Sequence, residues 1–209
     1  MADYNLLFDD LMVKEGGFSD SPRDVGNFCG GNLIGTNFGV AATAFNEYYG
    51  RCPTVSEMKN LSRDEAKKIW KKVIWDRMRG DEIKNLGVAD LILYSTGGGS
   101  SGYLHTKQAI NDSLGKKVVF ENKKMFTKDE IATLNQIPPK KFMDSLYKRR
   151  EQFFKSHPNS DVFEGGWMNR LNAVYNKALT TITENKGISV VVFIAALGLS
   201  YFLYRKFKK

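Results

Sequence analysis

Residues 4–17 read YNLLFDDLMVKEGG. Tyr4, Leu7, Phe8, Leu11 and Met12 recur at helical spacing and give this segment one apolar face. Glu15 shares that face, four residues after Leu11 and three after Met12. Gly16 and Gly17 follow and end the helix, because glycine takes the left-handed backbone of a helix stop without steric cost. A carboxylate there is partly desolvated and lies near the negative end of the helix dipole. Both effects favour its protonated form. Such a group suits general acid catalysis; a solvated glutamate beside a helix stop is the other reading of the same residues.

Beyond the helix, Gly16 to Val40 is rich in Gly, Asn and Asp, which predicts a long loop or a small hairpin region. A loop of that length inside a compact domain usually carries function. Asp20 and Asp24 are its candidate second carboxylates, able to position a water; Asp24 equally suits an Asx turn. Three S/T-x-x-E capping boxes then mark helix starts, at Thr54 with Glu57, Ser62 with Glu65 and Thr127 with Glu130. Ala66, Ile69, Trp70, Val73 and Ile74 continue the second at helical spacing. Further helices are predicted over Lys140–Lys155, with Arg150 inside the apolar stripe, and over Trp167–Ile182. Lys117–Phe120 is the best strand signal. Gly97–Gly102 reads as a flexible wall or linker, since it lacks the Lys-Ser/Thr of a phosphate loop. The fold class is mainly α, with a minor β hairpin.

Composition narrows the chemistry. The chain has 209 residues, 12% aromatic and 42% hydrophobic, enough for a real core, with a net charge of +8 and a pI near 9.3. A basic surface attracts polyanions. No aromatic–basic motif or basic recognition helix points to nucleic acid. The two histidines, His105 and His157, and the two cysteines show no zinc spacing, and no HExxH occurs, which argues against a zinc amidase. No metal or cofactor is expected. Cys29 with His105 has no local motif of a thiol peptidase. Cys29 and Cys52 could bridge or remain free thiols. Met1–Leu11 carries three aspartates and no apolar core, unlike a secretory signal.

At the other end, Ile188–Tyr204 (ISVVVFIAALGLSYFLY) runs 17 residues without a charge. As a helix it would span roughly 25 Å, the short end of a membrane crossing. Tyr201 and Tyr204 suit the interface, and Arg205, Lys206, Lys208 and Lys209 suit anionic headgroups. A buried terminal helix is the alternative. The expectation is a membrane anchor.

Taken together, Leu6–Gly17 with Phe18, Ser19, Asp20 and Asp24 resembles the opening of glycoside hydrolase family 108, the phage-type N-acetylmuramidases with an E-G-G motif. Thr36-Asn37-Phe38-Gly39-Val40 is similar to the family's T-K-Y-G-I segment. Leu61–Trp75 resembles its helix ending in Y-W, and Gly166-Trp167-Met168-Asn169-Arg170 its late G-W-x-x-R motif. The resemblance implies a lysozyme-like fold, with the minor hairpin, and cleavage of the MurNAc–GlcNAc bond of peptidoglycan. It places the catalytic acid on Glu15. It also implies a catalytic part over residues 1–94 and a helical, peptidoglycan-binding-like part over 95–186. The anchor and basic tail, read from hydropathy and charge, are added over 187–209; in such an enzyme they would sit in the host inner membrane or in the internal membrane of a phage particle. Thr36, Asn37, Gly39, Trp75 and Ser95 are candidate substrate contacts, Trp75 also reading as core; Asp90 and Arg150 are a candidate structural pair. Two departures stand out. The family's tight D-x-G-G-x-T stretch is here enlarged by Phe28–Gly35, and the expected Asn-x-Gly after Asp90 is replaced by Tyr94-Ser95-Thr96-Gly97.

Overall fold

The computed structural model describes residues 1–14, 17–97, 100–116, 125–158, 160–161 and 164–182. The protein is mainly helical, with two short hairpins. Helix α1 (Tyr4–Lys14) buries Tyr4, Leu7, Phe8 and Leu11, the i, i+3, i+4, i+7 stripe expected of an amphipathic helix, and leaves Leu6 exposed. It is tied to the rest of the core at its start: the Tyr4 hydroxyl donates to the Lys67 carbonyl at 2.6 Å, and its ring lies 5.3 Å from that of Trp75.

The Gly/Asn/Asp-rich stretch folds into two hairpins. Strands β1 (Phe28–Cys29) and β2 (Asn32–Leu33) pair antiparallel across Gly30-Gly31. Strands β3 (Thr36–Asn37) and β4 (Val40–Ala41) pair across Phe38-Gly39. All four turn residues have positive φ, the backbone whose twist suits a two-residue hairpin. Phe38 is not a glycine, and its φ of 48° is held by Trp70, whose Nε1 donates to the Phe38 carbonyl at 3.1 Å.

Short helices α2 (Ala42–Tyr49), α3 (Val55–Lys59) and α4 (Arg63–Trp70) follow. Two of the three expected capping boxes close reciprocally, at Thr54/Glu57 and Thr127/Glu130. At the third, Ser62 caps the Glu65 amide at 3.1 Å, but the Glu65 carboxylate takes the Tyr49 hydroxyl at 2.5 Å. The helix predicted to run through Ile74 changes pitch: α4 passes into a π turn over Lys71–Trp75, closed by the Asp76 amide on the Lys71 carbonyl. That turn carries Trp75 inward against Gly80, where any Cβ would fall 2.2 Å from the indole.

The remaining helices are α5 (Leu86–Gly97), α6 (Ser100–Leu114), α7 (Lys128–Leu134), α8 (Pro139–Ser156) and α9 (164–182). Helix α5 is buried on almost every side and runs unbroken across residues 94 and 95. Gly102 lets α6 cross it closely, since a Cβ there would lie 1.9 Å from the Ser95 carbonyl oxygen. The run Gly97–Gly102, expected as a wall or linker, therefore supplies the end of α5 and the start of α6, with Gly98 and Gly99 outside the described residues. One continuous apolar core extends from Ala2 to Ala178. Among the described residues no helix is long and apolar enough to cross a membrane. The span expected at 188–204 and the strand expected at 117–120 lie outside the described residues.

Candidate active site

The expected catalytic acid, Glu15, lies outside the described residues, and the surrounding framework is described from Gly17 onward. Four residues after Glu15 in sequence, Ser19 pairs with Thr36: the Ser19 amide donates to the Thr36 carbonyl at 2.9 Å, and the Thr36 amide to the Ser19 carbonyl at 2.7 Å. This pairing stitches the segment that follows the E-G-G motif onto the second hairpin. Gly35 makes it possible, because its φ is +112° and a Cβ would meet the Phe18 ring at 2.7 Å.

Of the two candidate second carboxylates, both are exposed. Asp20 is next to the Ser19–Thr36 pairing. Asp24 forms an Asx turn, its Oδ1 accepting from the Gly26 amide at 2.9 Å as it caps the short 3-10 turn Val25–Asn27. The enlarged loop is held at both ends. Cys29 and Cys52 form a disulfide with a Cα separation of 5.6 Å, resolving the choice between bridge and free thiols. At its base the Asn27 carbonyl accepts from the Ile34 and Gly35 amides at 2.8 and 3.0 Å. Closing this loop of about two dozen residues contributes roughly 3 kcal/mol in the chain-entropy picture.

The other candidate residues take varied places. Thr36 is half-buried and donates its hydroxyl to Asn27 Oδ1 at 2.5 Å. Asn37 is buried and its amide donates to the carbonyls of Met58 and Lys59, capping the end of α3. Gly39, with φ of +68°, is a turn residue of the second hairpin. Trp75 is fully buried, its Nε1 donating to Asp81 Oδ1 at 2.8 Å. A depression of about 150 Å³ runs over Trp75, Arg79 and Asp81, yet the indole has no accessible surface. The ring is a floor beneath other atoms and offers no face on which a sugar could stack. Ser95 is also fully buried, its hydroxyl donating to the Leu91 carbonyl one turn back.

Asp90 and Arg150 are both buried, but not as a pair. Asp90 takes the Lys177 ammonium at 3.4 Å. Arg150, on α8, lies over the rings of Phe154 and Phe153 at 4.6 and 5.1 Å, with Nη1 3.3 Å from His105 Nδ1. Burial lowers the Arg150 pKa to about 10, leaving it charged at neutral pH. Burial, reinforced by Arg150 and Arg149, lowers that of His105 to about 4. The imidazole is thus neutral near pH 7, and its Nδ1 can accept from the guanidinium.

A wider open cavity of about 630 Å³ is lined by Glu47, Tyr48, Lys72, Val73, Asp76, Arg77 and Met125. It includes none of the expected site residues, and Glu47 on its wall is ion-paired with Arg77. Among the described residues no group of three or more His, Cys, Asp or Glu could hold a metal. The residue that sequence reasoning missed is Asn27, which has only 1% exposure and whose carbonyl takes the Ile34 and Gly35 amides at the return of the enlarged loop. Nothing at sequence level separates this Asn from the other loop asparagines.

Residues 8–94 match the glycosyl hydrolase 108 family. No curated protein matches the sequence. Among solved structures, SagA of Brucella abortus superimposes with a TM-score of 0.69 at 19% identity, over 85% of this chain and 94% of that one. The overlap extends well past residue 94, so the two share the fold of the later helices as well as of the hairpin-bearing part. The similarity of residues 8–94 to the glycosyl hydrolase 108 family makes the protein a glycoside hydrolase.

Proposed function

We propose that this glycoside hydrolase is a peptidoglycan muramidase that cleaves the MurNAc–GlcNAc bond, with Glu15 as general acid. The observation that carries it is the family match over residues 8–94, which contains both the E-G-G motif and the hairpin bearing Thr36. In this reading protonated Glu15 gives its proton to the glycosidic oxygen as the C1–O bond breaks, and water supplies the new hydroxyl. Asp20, beside the Ser19–Thr36 pairing, is the preferred second carboxylate. Asp24 serves the turn.

The same reading places the enzyme on a membrane through residues 188–204, whose uncharged run is long enough to cross a bilayer. The Cys29–Cys52 bridge supports work in an oxidising compartment, where disulfides persist. The test is mass spectrometry of fragments released from purified peptidoglycan by the chain truncated after Gly187. Fragments ending in reducing muramic acid are expected. Anhydro-muramic ends would replace hydrolysis by lytic transglycosylation, and no fragments at all would overturn the enzymatic reading.

A further inference from the structure

The direction of one proton in the hairpin region is fixed by its surroundings. The Asn27 side chain is bonded on both sides. On one it meets the Ser21 main-chain carbonyl at 3.0 Å, which can only accept, so the amide nitrogen faces it. The other end, Oδ1, therefore faces the Thr36 hydroxyl at 2.5 Å and can only accept. Thr36 has one proton and gives it to Asn27. Toward any other partner Thr36 presents lone pairs alone.

Asn27 is well placed to hold this arrangement. It has 1% exposure, so water does not compete for its amide. Its own amide is bonded to the Asp24 carbonyl at 3.0 Å, and its carbonyl receives Ile34 and Gly35. The eight residues Phe28–Gly35 thus leave and return at Asn27, and Thr36 follows immediately. The Ser19 pairing fixes the Thr36 backbone from the opposite side.

We propose that Asn27 is a positioning residue that locks the Thr36 hydroxyl as a pure hydrogen-bond acceptor, for a donor hydroxyl of the sugar or of the attacking water. This rests on the muramidase reading above. It selects among donors: groups that bring a proton are held, and a bare carboxylate or ether oxygen is refused. Without Asn27 the hydroxyl rotates freely and spends part of its time offering the proton instead.

The test is steady-state kinetics on soluble peptidoglycan oligomers with Asn27→Ala, Thr36→Val, Thr36→Ser and the double variant Asn27→Ala/Thr36→Val. Thr36→Val is expected to lower kcat about a hundredfold, the scale of a misplaced reacting group, with KM changed less than about threefold. Thr36→Ser, which keeps the hydroxyl, restores most of kcat. Asn27→Ala lowers kcat about tenfold, and the double variant falls no further than Thr36→Val alone, because both changes remove one interaction. A folded Asn27→Ala with wild-type kcat, or losses that add in full, overturns the proposal. If Asn27→Ala does not fold, the threonine variants still decide it: Thr36→Val at wild-type kcat overturns it, and a loss rescued by serine supports it. A wild-type protein that releases no muramic reducing ends refutes the muramidase reading itself, before any variant is compared.

Discussion

In residues 17–41 no strand is longer than two residues, whereas α5, α6 and α8 run 12, 15 and 18 residues through or along the core. Hairpins that short do not hold themselves in water. They are secured from outside by the Cys29–Cys52 bridge, by the Asn37 amide on the end of α3 and by the Trp70 indole, and from within by Asn27. The helical part is held by apolar stripes, with a few buried charges sunk into it. Lys107 and Glu130 pair at 3.0 Å with side chains only 6% exposed each. The difference has a functional sense. If the reacting centre lies beside the hairpins, as proposed above, polar clamps would fix individual backbone groups there while leaving carboxylates such as Asp20 and Asp24 in solvent.

The sharpest way to separate the two parts is a change that touches chemistry alone. Glu15→Gln keeps size and removes the proton donor. Wall lysis is expected to drop about 10²–10⁴-fold, with the melting temperature unchanged. Lysis within a few-fold of wild type by the folded variant would show that the hairpin region is not built around this acid.

The helical part should fail in the opposite manner. Lys107→Ala leaves the buried Glu130 carboxyl without its ammonium partner, at a cost of about 3–5 kcal/mol. Chemical denaturation should show that loss, while activity per folded molecule stays near wild type. A loss of activity without a loss of stability would join the two parts into one functional unit.

Removing the bridge should weaken the hairpin part less. Cys29→Ser with Cys52→Ser is expected to cost roughly 3 kcal/mol in denaturation, the loop-closure contribution for this separation. Reductant should reproduce the effect in the parent chain and do nothing to the variant. Equal stability with and without reductant would mean that Asn27 and Trp70 suffice to hold the loop.

How much of this was legible in the sequence depended on the same distinction. Apolar stripes announce helices, so α1, α8 and α9 could be placed, because burial on one face repeats with the helical period. Two capping boxes were legible for a similar reason, being local. The third was not, because Tyr49, sixteen residues away, takes the Glu65 carboxylate. Partners set by tertiary packing stayed hidden in the same way: Arg150 was visible within its stripe, but Lys177 on a later helix takes Asp90. In the candidate site, the glycine-rich stretch was visible as a region, and Gly30-Gly31 has the composition of a hairpin turn. Phe38 at φ of 48° has no such mark, since its geometry is held by a tryptophan on α4. Trp75 was a candidate sugar contact, although a Trp ending an amphipathic helix is more often core, and the π turn that buries it leaves no periodic signal of its own.

The smallest expected effect lies in the two loop aspartates, and it tests how finely the clamps and the chemistry are divided. Asp24 spends Oδ1 on the Gly26 amide, and asparagine offers a carbonyl oxygen at the same place. Asp24→Asn should therefore keep the Asx turn, with melting temperature and lysis both close to wild type. Asp20 has a different setting, exposed and adjacent to the Ser19–Thr36 pairing. If it holds the attacking water, Asp20→Asn removes a base but no structural bond, so activity falls while melting is unmoved. Lysis and melting of the two single variants, measured side by side, give the answer. Activity lost in Asp24→Asn but kept in Asp20→Asn would exchange their roles and make the turn itself part of the chemistry. Activity kept in both would leave the water to neutral groups, among which Thr36, paired through its backbone with Ser19 and with its proton committed to Asn27, is an acceptor.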